Sequence, residues 1–242
     1  MEHNIVNCKN CGSALQDNYC SHCGQPAKFA RISATFFYHE LIHFFTHVEK
    51  GFLFTSIKMI LKPGETVRNF IEGRRRIYQA PVSYFLIWTS VYIVLIYAME
   101  SFFGENTVIT YNAYFGPGGS TKFAISHLAL VLAMIIPVQA LFLYLLVTKG
   151  VYNYFETIVA SIYILGTILL FQIVFLILAV CVYLSSGQTL DLKLSDVFKI
   201  TYLSWSSYDF IRSFKLPVFW LRLLLFILLA FSTFTLWRMF GY

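Results

Sequence analysis

Three observations predict an all-α integral membrane protein, with about four transmembrane helices, juxtamembrane amphipathic helices and a small cysteine-rich N-terminal head. The first is composition: the 242 residues are 58% hydrophobic and only 12% charged, with a mean hydropathy of +0.66. A soluble domain carries about 25% charged residues, so the excess apolar surface calls for lipid around it. The second is a set of four apolar runs, each long enough to cross a bilayer, and the third is a group of four cysteines before residue 24. The same figures exclude a disordered chain, a collagen-like chain and a nucleic-acid-binding tail.

The head, residues 1–28, holds Cys8-Lys9-Asn10-Cys11-Gly12 and Cys20-Ser21-His22-Cys23-Gly24, two copies of one knuckle. Each Cys-x-x-Cys turn delivers two thiolates to one side of an ion, and two such turns complete the four soft ligands of a structural zinc. A glycine after each knuckle supplies the positive φ that lets the turn close. A segment this short has no hydrophobic core of its own, so metal binding would supply its folding energy. One zinc per chain is therefore expected at Cys8, Cys11, Cys20 and Cys23, as a structural staple or as the support of a surface that recognises a protein partner. Catalysis there is disfavoured because sulfur fills all four positions. Lys9 and Lys28 balance Glu2 and Asp17, which leaves no basic footprint for nucleic acid. The start of the chain lacks the pattern of a cleavable signal peptide, so the head is expected in the cytosol.

Residues 29–80 carry eight basic against four acidic side chains and read as cytoplasmic amphipathic helices lying on the membrane. Within them His39-Glu40-Leu41-Ile42-His43 matches H-E-x-x-H, in which two histidines one helical turn apart hold zinc and the glutamate acts as general base. His47 continues the row, with Phe37, Leu41, Phe44, Phe45 and Val48 expected on the opposite face. His39 and His47 would stand about 12 Å apart along a helix, too far to share one ion with His43. A second zinc at His39 and His43, with Glu40 catalytic, thus competes with a plain polar stripe. Lys62-Pro63-Gly64-Glu65 should break the segment and restart a helix. Arg74, Arg75 and Arg76 are candidates for binding anionic lipid headgroups, and also fix topology.

The membrane domain is expected over 81–242, with spans at about 81–100, 123–147, 157–184 and 216–238. A hydrocarbon core about 30 Å thick needs roughly 20 helical residues, and the runs lack the strict alternation of a barrel strand. The basic cluster before Pro81 makes the N-terminus cytoplasmic. The connection after the third run contains Val197–Ile211, expected at the interface rather than across the bilayer because Lys199 and Asp209 are costly in lipid. His127, Gln139, Gln172 and Arg222 are the polar residues of the spans, and Cys181 is expected to be a small buried apolar residue.

Taken in order, these motifs resemble the bacterial zinc-ribbon membrane proteins known as domain of unknown function 3667. The resemblance rests on the four cysteines ending in Cys23-Gly24-Gln25, on His39 through Lys50-Gly51-Phe52-Leu53 to Thr55, and on Pro63-Gly64. It continues in Ile71-Glu72-Gly73-Arg74-Arg75, Tyr78 and Pro81, and again in Tyr152-Asn153-Tyr154-Phe155-Glu156. It implies a zinc ribbon fused to a multi-span domain of the bacterial inner membrane, and no catalytic residues to carry over.

The leading functional expectation is a non-enzymatic membrane scaffold or regulator of partner proteins. The alternatives are a membrane-associated zinc metallopeptidase using His39, Glu40 and His43, and a small-solute transporter using Gln139 and Gln172.

Overall fold

A computed structural model describes residues 6–15, 17–27, 31–44, 51–103, 128–148, 150–188, 193–212 and 220–229. A two-stranded antiparallel hairpin, β1 (Val6–Asn7) and β2 (Ala14–Leu15), begins the head. Helices follow: α1 (Ala34–Phe44), α2 (Phe52–Leu61), α3 (Pro63–Ile71), α4 (Pro81–Phe103), α5 (Leu128–Leu143), α6 (Tyr154–Ser186) and α7 (Lys193–Ile211). A π-helical turn, Tyr144–Thr148, extends α5, and a shorter apolar helix, α8, covers Trp220–Leu229.

Two of these, α4 and α6, are long and apolar enough to cross a membrane. The other two expected spans are shorter among the described residues. The second is represented by α5 and its π turn and the fourth by α8, while 123–127, 216–219 and 230–238 lie outside the described residues, as does 104–122, the loop expected outside after the first span. Among the described residues there are thus two candidate crossings, where the sequence predicts about four over the whole chain.

Helix α6 is the central post of the bundle. Its start is fixed by a capping box: the Asn153 side chain accepts from the Glu156 amide at 2.8 Å, and the Asn153 amide donates to the Glu156 carboxylate at 2.8 Å. Two of the orphan N–H groups at the helix start are thereby satisfied reciprocally. At 33 residues α6 is roughly 50 Å long, and α2, α3, α4, α5 and α7 all pack on it.

The break at Lys62 forms as the sequence predicts, with Pro63 in the first turn of α3. The chain then turns after Ile71, where the Arg74 amide donates to Asn69 O and the Gly73 amide to Phe70 O. These bonds take up carbonyls that a helix end leaves free.

An aromatic series leads from this turn into the bundle. Phe70 meets Tyr163 edge-on at 5.6 Å, Tyr163 meets Tyr84 at 5.6 Å, and Phe52 packs on both Tyr84 and Trp88. Such contacts add to plain area burial and orient the rings. Hydrogen bonds run through the same region: the Gln79 backbone amide donates to Thr55 Oγ1, Tyr163 Oη donates to Gln79 O, and Tyr84 and Thr167 share a hydrogen bond of 3.0 Å.

The connection after α6 forms a helix as expected over 197–211, and α7 packs against α3 and α6. Asp209 is buried, accepting from the Gly64 amide at 2.7 Å and pairing with Arg212 at 2.8 Å. Arg68 reaches across to donate to Asp209 O and Phe210 O. The charge that seemed costly is satisfied within the protein by a backbone N–H and an arginine.

A candidate metal centre on a basic turn

The two knuckles fold identically. The Gly12 amide donates to Cys8 O and the Gly24 amide to Cys20 O, each at 2.8 Å, while the first cysteine amide of each donates forward, Cys8 to Ser13 O and Cys20 to Gln25 O. Gly12 and Gly24 have φ of 80° and 71°, the left-handed conformation that side chains disfavour. The hairpin pairs Val6 with Leu15 around the first knuckle, and a bridge pairs Tyr19 with Pro26 around the second.

This local repetition brings the four sulfurs within 4.8 Å of one another. Cys8 and Cys23 are 3.6 Å apart, Cys11 and Cys20 are 3.5 Å apart, and all are free thiols. A zinc ion about 2.3 Å from each of four thiolates sets the sulfurs about 3.8 Å apart, so the set fits an ion of that size. A disulfide would draw two sulfurs to about 2 Å, whereas here all four stand at separations that one ion can bridge, with both knuckles engaged at once. The environments of the four differ: hydrogen bonding with Ser13 holds the Cys11 thiol down at about 6, whereas desolvation pushes Cys23 up to about 11.

The ribbon is seated on the chain itself. Gln25 Nε2 donates to Gly73 O at 2.7 Å in a buried contact between residues 48 apart. A Cβ placed on Gly24 would come within 4.0 Å of Arg76 Nη2. The seat is therefore the turn Gly73–Arg76, between α3 and α4.

That turn separates the three arginines, which the sequence offered as one lipid-binding group. Arg74 and Arg76 are exposed, but Arg75 turns inward. Its guanidinium lies 5.3 Å from the centre of the Phe36 ring and 5.8 Å from that of Phe70, and its Nε donates to Phe70 O. Burial lowers the Arg75 pKa, while the charges of Glu156 and Glu40 oppose that shift. Glu156 is also held by Arg31, through two contacts of 3.2 Å, and Asn153 Nδ2 donates to Ile32 O. The arm behind the ribbon, the arginine turn and the start of α6 thus meet at one buried carboxylate.

The H-E-x-x-H motif is described only in part. On α1 His39 is exposed with its ring edge-on to Tyr38 at 5.9 Å, while Glu40 is only 6% exposed and acts on Arg75. Leu41, expected on the face opposite the histidines, is exposed, as are Tyr38 and Ile42. Among the described residues the four cysteines are the one group of potential ligands that converges. The His43 side chain, and His47 and Glu49 entirely, lie outside the described residues. In the spans Gln139 and Gln172 are buried, Arg222 donates to Leu146 O at 3.3 Å, and Cys181 is exposed rather than buried.

Three contributors were given no structural role in the sequence reading: Gln25, Asn153 with Glu156, and the Gly64–Arg68–Asp209 junction. The Asn-x-x-Glu spacing at 153–156 is the signal that could have found the second. The other two join residues far apart in the chain, and no local pattern marks them.

Fold and site together define a class: a helical protein with two candidate membrane-crossing helices and an N-terminal four-cysteine cluster placed to hold a metal ion. Residues 49–93 match the family described as Protein of unknown function (DUF3667), so the resemblance read from the motifs is shown over the stretch from α2 into α4. Comparison with curated proteins and with solved structures gives no match.

Proposed function

We propose that the protein is a multi-pass protein of the bacterial cytoplasmic membrane whose zinc ribbon, on the cytoplasmic side, scaffolds or regulates partner proteins. The observation that carries this reading is a closed set of four thiols seated, through Gln25, on the basic turn at the entrance to a candidate crossing helix. Zinc would be held by Cys8, Cys11, Cys20 and Cys23, and bound there it supplies folding energy to the ribbon. With no position left for water or substrate, the ion has a structural role, and the exposed surface of the ribbon is what a partner meets. Arg74 and Arg76 remain available to anionic headgroups. Among the described residues no observation favours a hydrolytic reading, since Glu40 acts on the charge of Arg75, nor a transport reading.

The test is zinc stoichiometry on detergent-purified protein, joined to affinity capture from the native membrane. Wild type and the His39→Ala, His43→Ala variant should each carry one zinc per chain, and Cys8→Ser with Cys20→Ser none. A second zinc lost with the histidines would sink the reading of one structural site. A captured protein set unchanged by the cysteine substitutions would sink the partner role.

A further inference from the structure

Two helices outside the pair of candidate crossings turn apolar side chains outward. On α2 the outward residues include Leu53, Ile57 and Leu61, at 71%, 56% and 63% exposure, while Thr55, Ser56 and Met59 are buried. On α7 Val197, Phe198 and Trp205 point outward, while Ser206, Ser207 and Asp209 are buried along with Tyr202, Leu203, Phe210 and Ile211. A surface helix facing water carries polar side chains on its outer face instead. The hydroxyls of Thr55 and Ser56 donate back to Gly51 O and Phe52 O, so the inner face needs little from its neighbours. The two helices touch each other, with Tyr202 Oη donating to Met59 O at 3.0 Å.

The direction of α7 adds a second argument. Tyr202 packs on Phe171, well along α6, whereas Phe210 stacks on Tyr152, just before α6 begins. Helix α7 therefore runs back along α6, and its end meets α3 on the side where the ribbon sits. If α6 crosses the bilayer, the chain has to return to reach that position. Nineteen residues of α7 give roughly 28 Å, close to the hydrocarbon thickness of about 30 Å.

We infer that bilayer lipid is the partner of both outward faces: α7 is a return crossing beside α6, and α2 is seated in the leaflet on the ribbon side. Continuity supports this occupant, because Phe52 at the start of α2 packs on Trp88 of α4, whose outward Val91, Val94 and Tyr97 are apolar in turn. Charge supports it too. Lys58 lies 5.5 Å from the Phe54 ring centre and Lys62 is exposed at the end of α2, where long stems can carry ammonium groups to headgroups. This inference rests on the membrane reading above, and position 94 on α4 keeps the two separable.

Nitroxides attached through p-acetylphenylalanine, which leaves the native cysteines untouched, are placed singly at 57, 61, 198 and 205, at 94 as the crossing reference, and at 18 in the ribbon as the water reference. The full-length protein is reconstituted in phosphatidylglycerol–phosphatidylethanolamine vesicles, and collision rates with oxygen and with a nickel chelate are read by power saturation. The oxygen-to-nickel ratio at all four test positions should match that at 94 and exceed that at 18 several-fold. Ratios like that at 18 at the four positions, with 94 still lipid-like, overturn the inference alone. Collision with neither agent overturns it in favour of a protein cover such as a second copy. A water-like ratio at 94 as well overturns the membrane reading together with it.

Discussion

Glu156 shows how much one side chain can connect. It closes the capping box with Asn153, receives Arg31 and faces Arg75, while only 4% of its side chain is exposed. The Arg31 contact alone contributes little, because that arginine is largely in solvent. Removing the carboxylate charge, however, weakens the cap and leaves half-buried Arg75 with less compensation. Glu156→Gln should lower stability by about 1–2 kcal/mol, seen as a lower unfolding temperature in detergent, with Arg31→Ala causing a much smaller drop. Equal effects of the two would show that the surface pair, not the buried charge, matters. The cysteines act differently: Cys20→Ser should abolish zinc retention outright, read by metal analysis after gel filtration, since three thiolates do not close the tetrahedron.

Between elements, the α3–α7 junction is the clearest case of close approach. A Cβ on Gly64 would stand 2.3 Å from Asp209 C and O, so any larger residue must part the helices. Gly64→Ala is expected to cost about 1–3 kcal/mol, measured by thermal unfolding in detergent and by increased proteolysis after α7. Asp209→Ala should match or exceed it, because the Gly64 amide and Arg212 lose their acceptor while remaining near it. A fully stable Gly64→Ala protein would mean that α3 and α7 do not meet as described. The Pro63-Gly64 pair was legible in the sequence as a helix restart, and the reason for glycine was not, since its neighbour lies 145 residues away.

For the whole molecule, the relation of ribbon to bundle is the decisive feature. One buried hydrogen bond, from Gln25 to Gly73, ties the head to the turn that also carries the inward Arg75. Gln25→Ala should therefore keep one zinc per chain while releasing the head, measured as faster protease cleavage between the ribbon and α1 with the bundle intact. Cleavage at the wild-type rate would mean that the seat is held by other contacts. Chelation should expose the head in the same assay and leave the helical circular dichroism almost unchanged, because the helices carry their own core of aromatic and aliphatic contacts.

The sequence by itself determined whatever depends on neighbours in the chain. Two Cys-x-x-Cys-Gly repeats specify two identical turns, uninterrupted apolar runs specify α4 and α6, and proline at 63 specifies a restart. Tertiary structure alone decided which face of α1, α2 and α7 points inward. Periodicity reveals that a helix has two faces, but it names the inner one only when water is known to lie outside. Where lipid can lie outside instead, an apolar face suits either side, and the choice falls to distant partners: Asp209 for Gly64, Arg75 for Glu40, and Tyr202 for the Met59 carbonyl. Long-range pairs of this kind leave no spacing signature, which is why the cysteine cluster was legible at once and its seat on Gly73 was not.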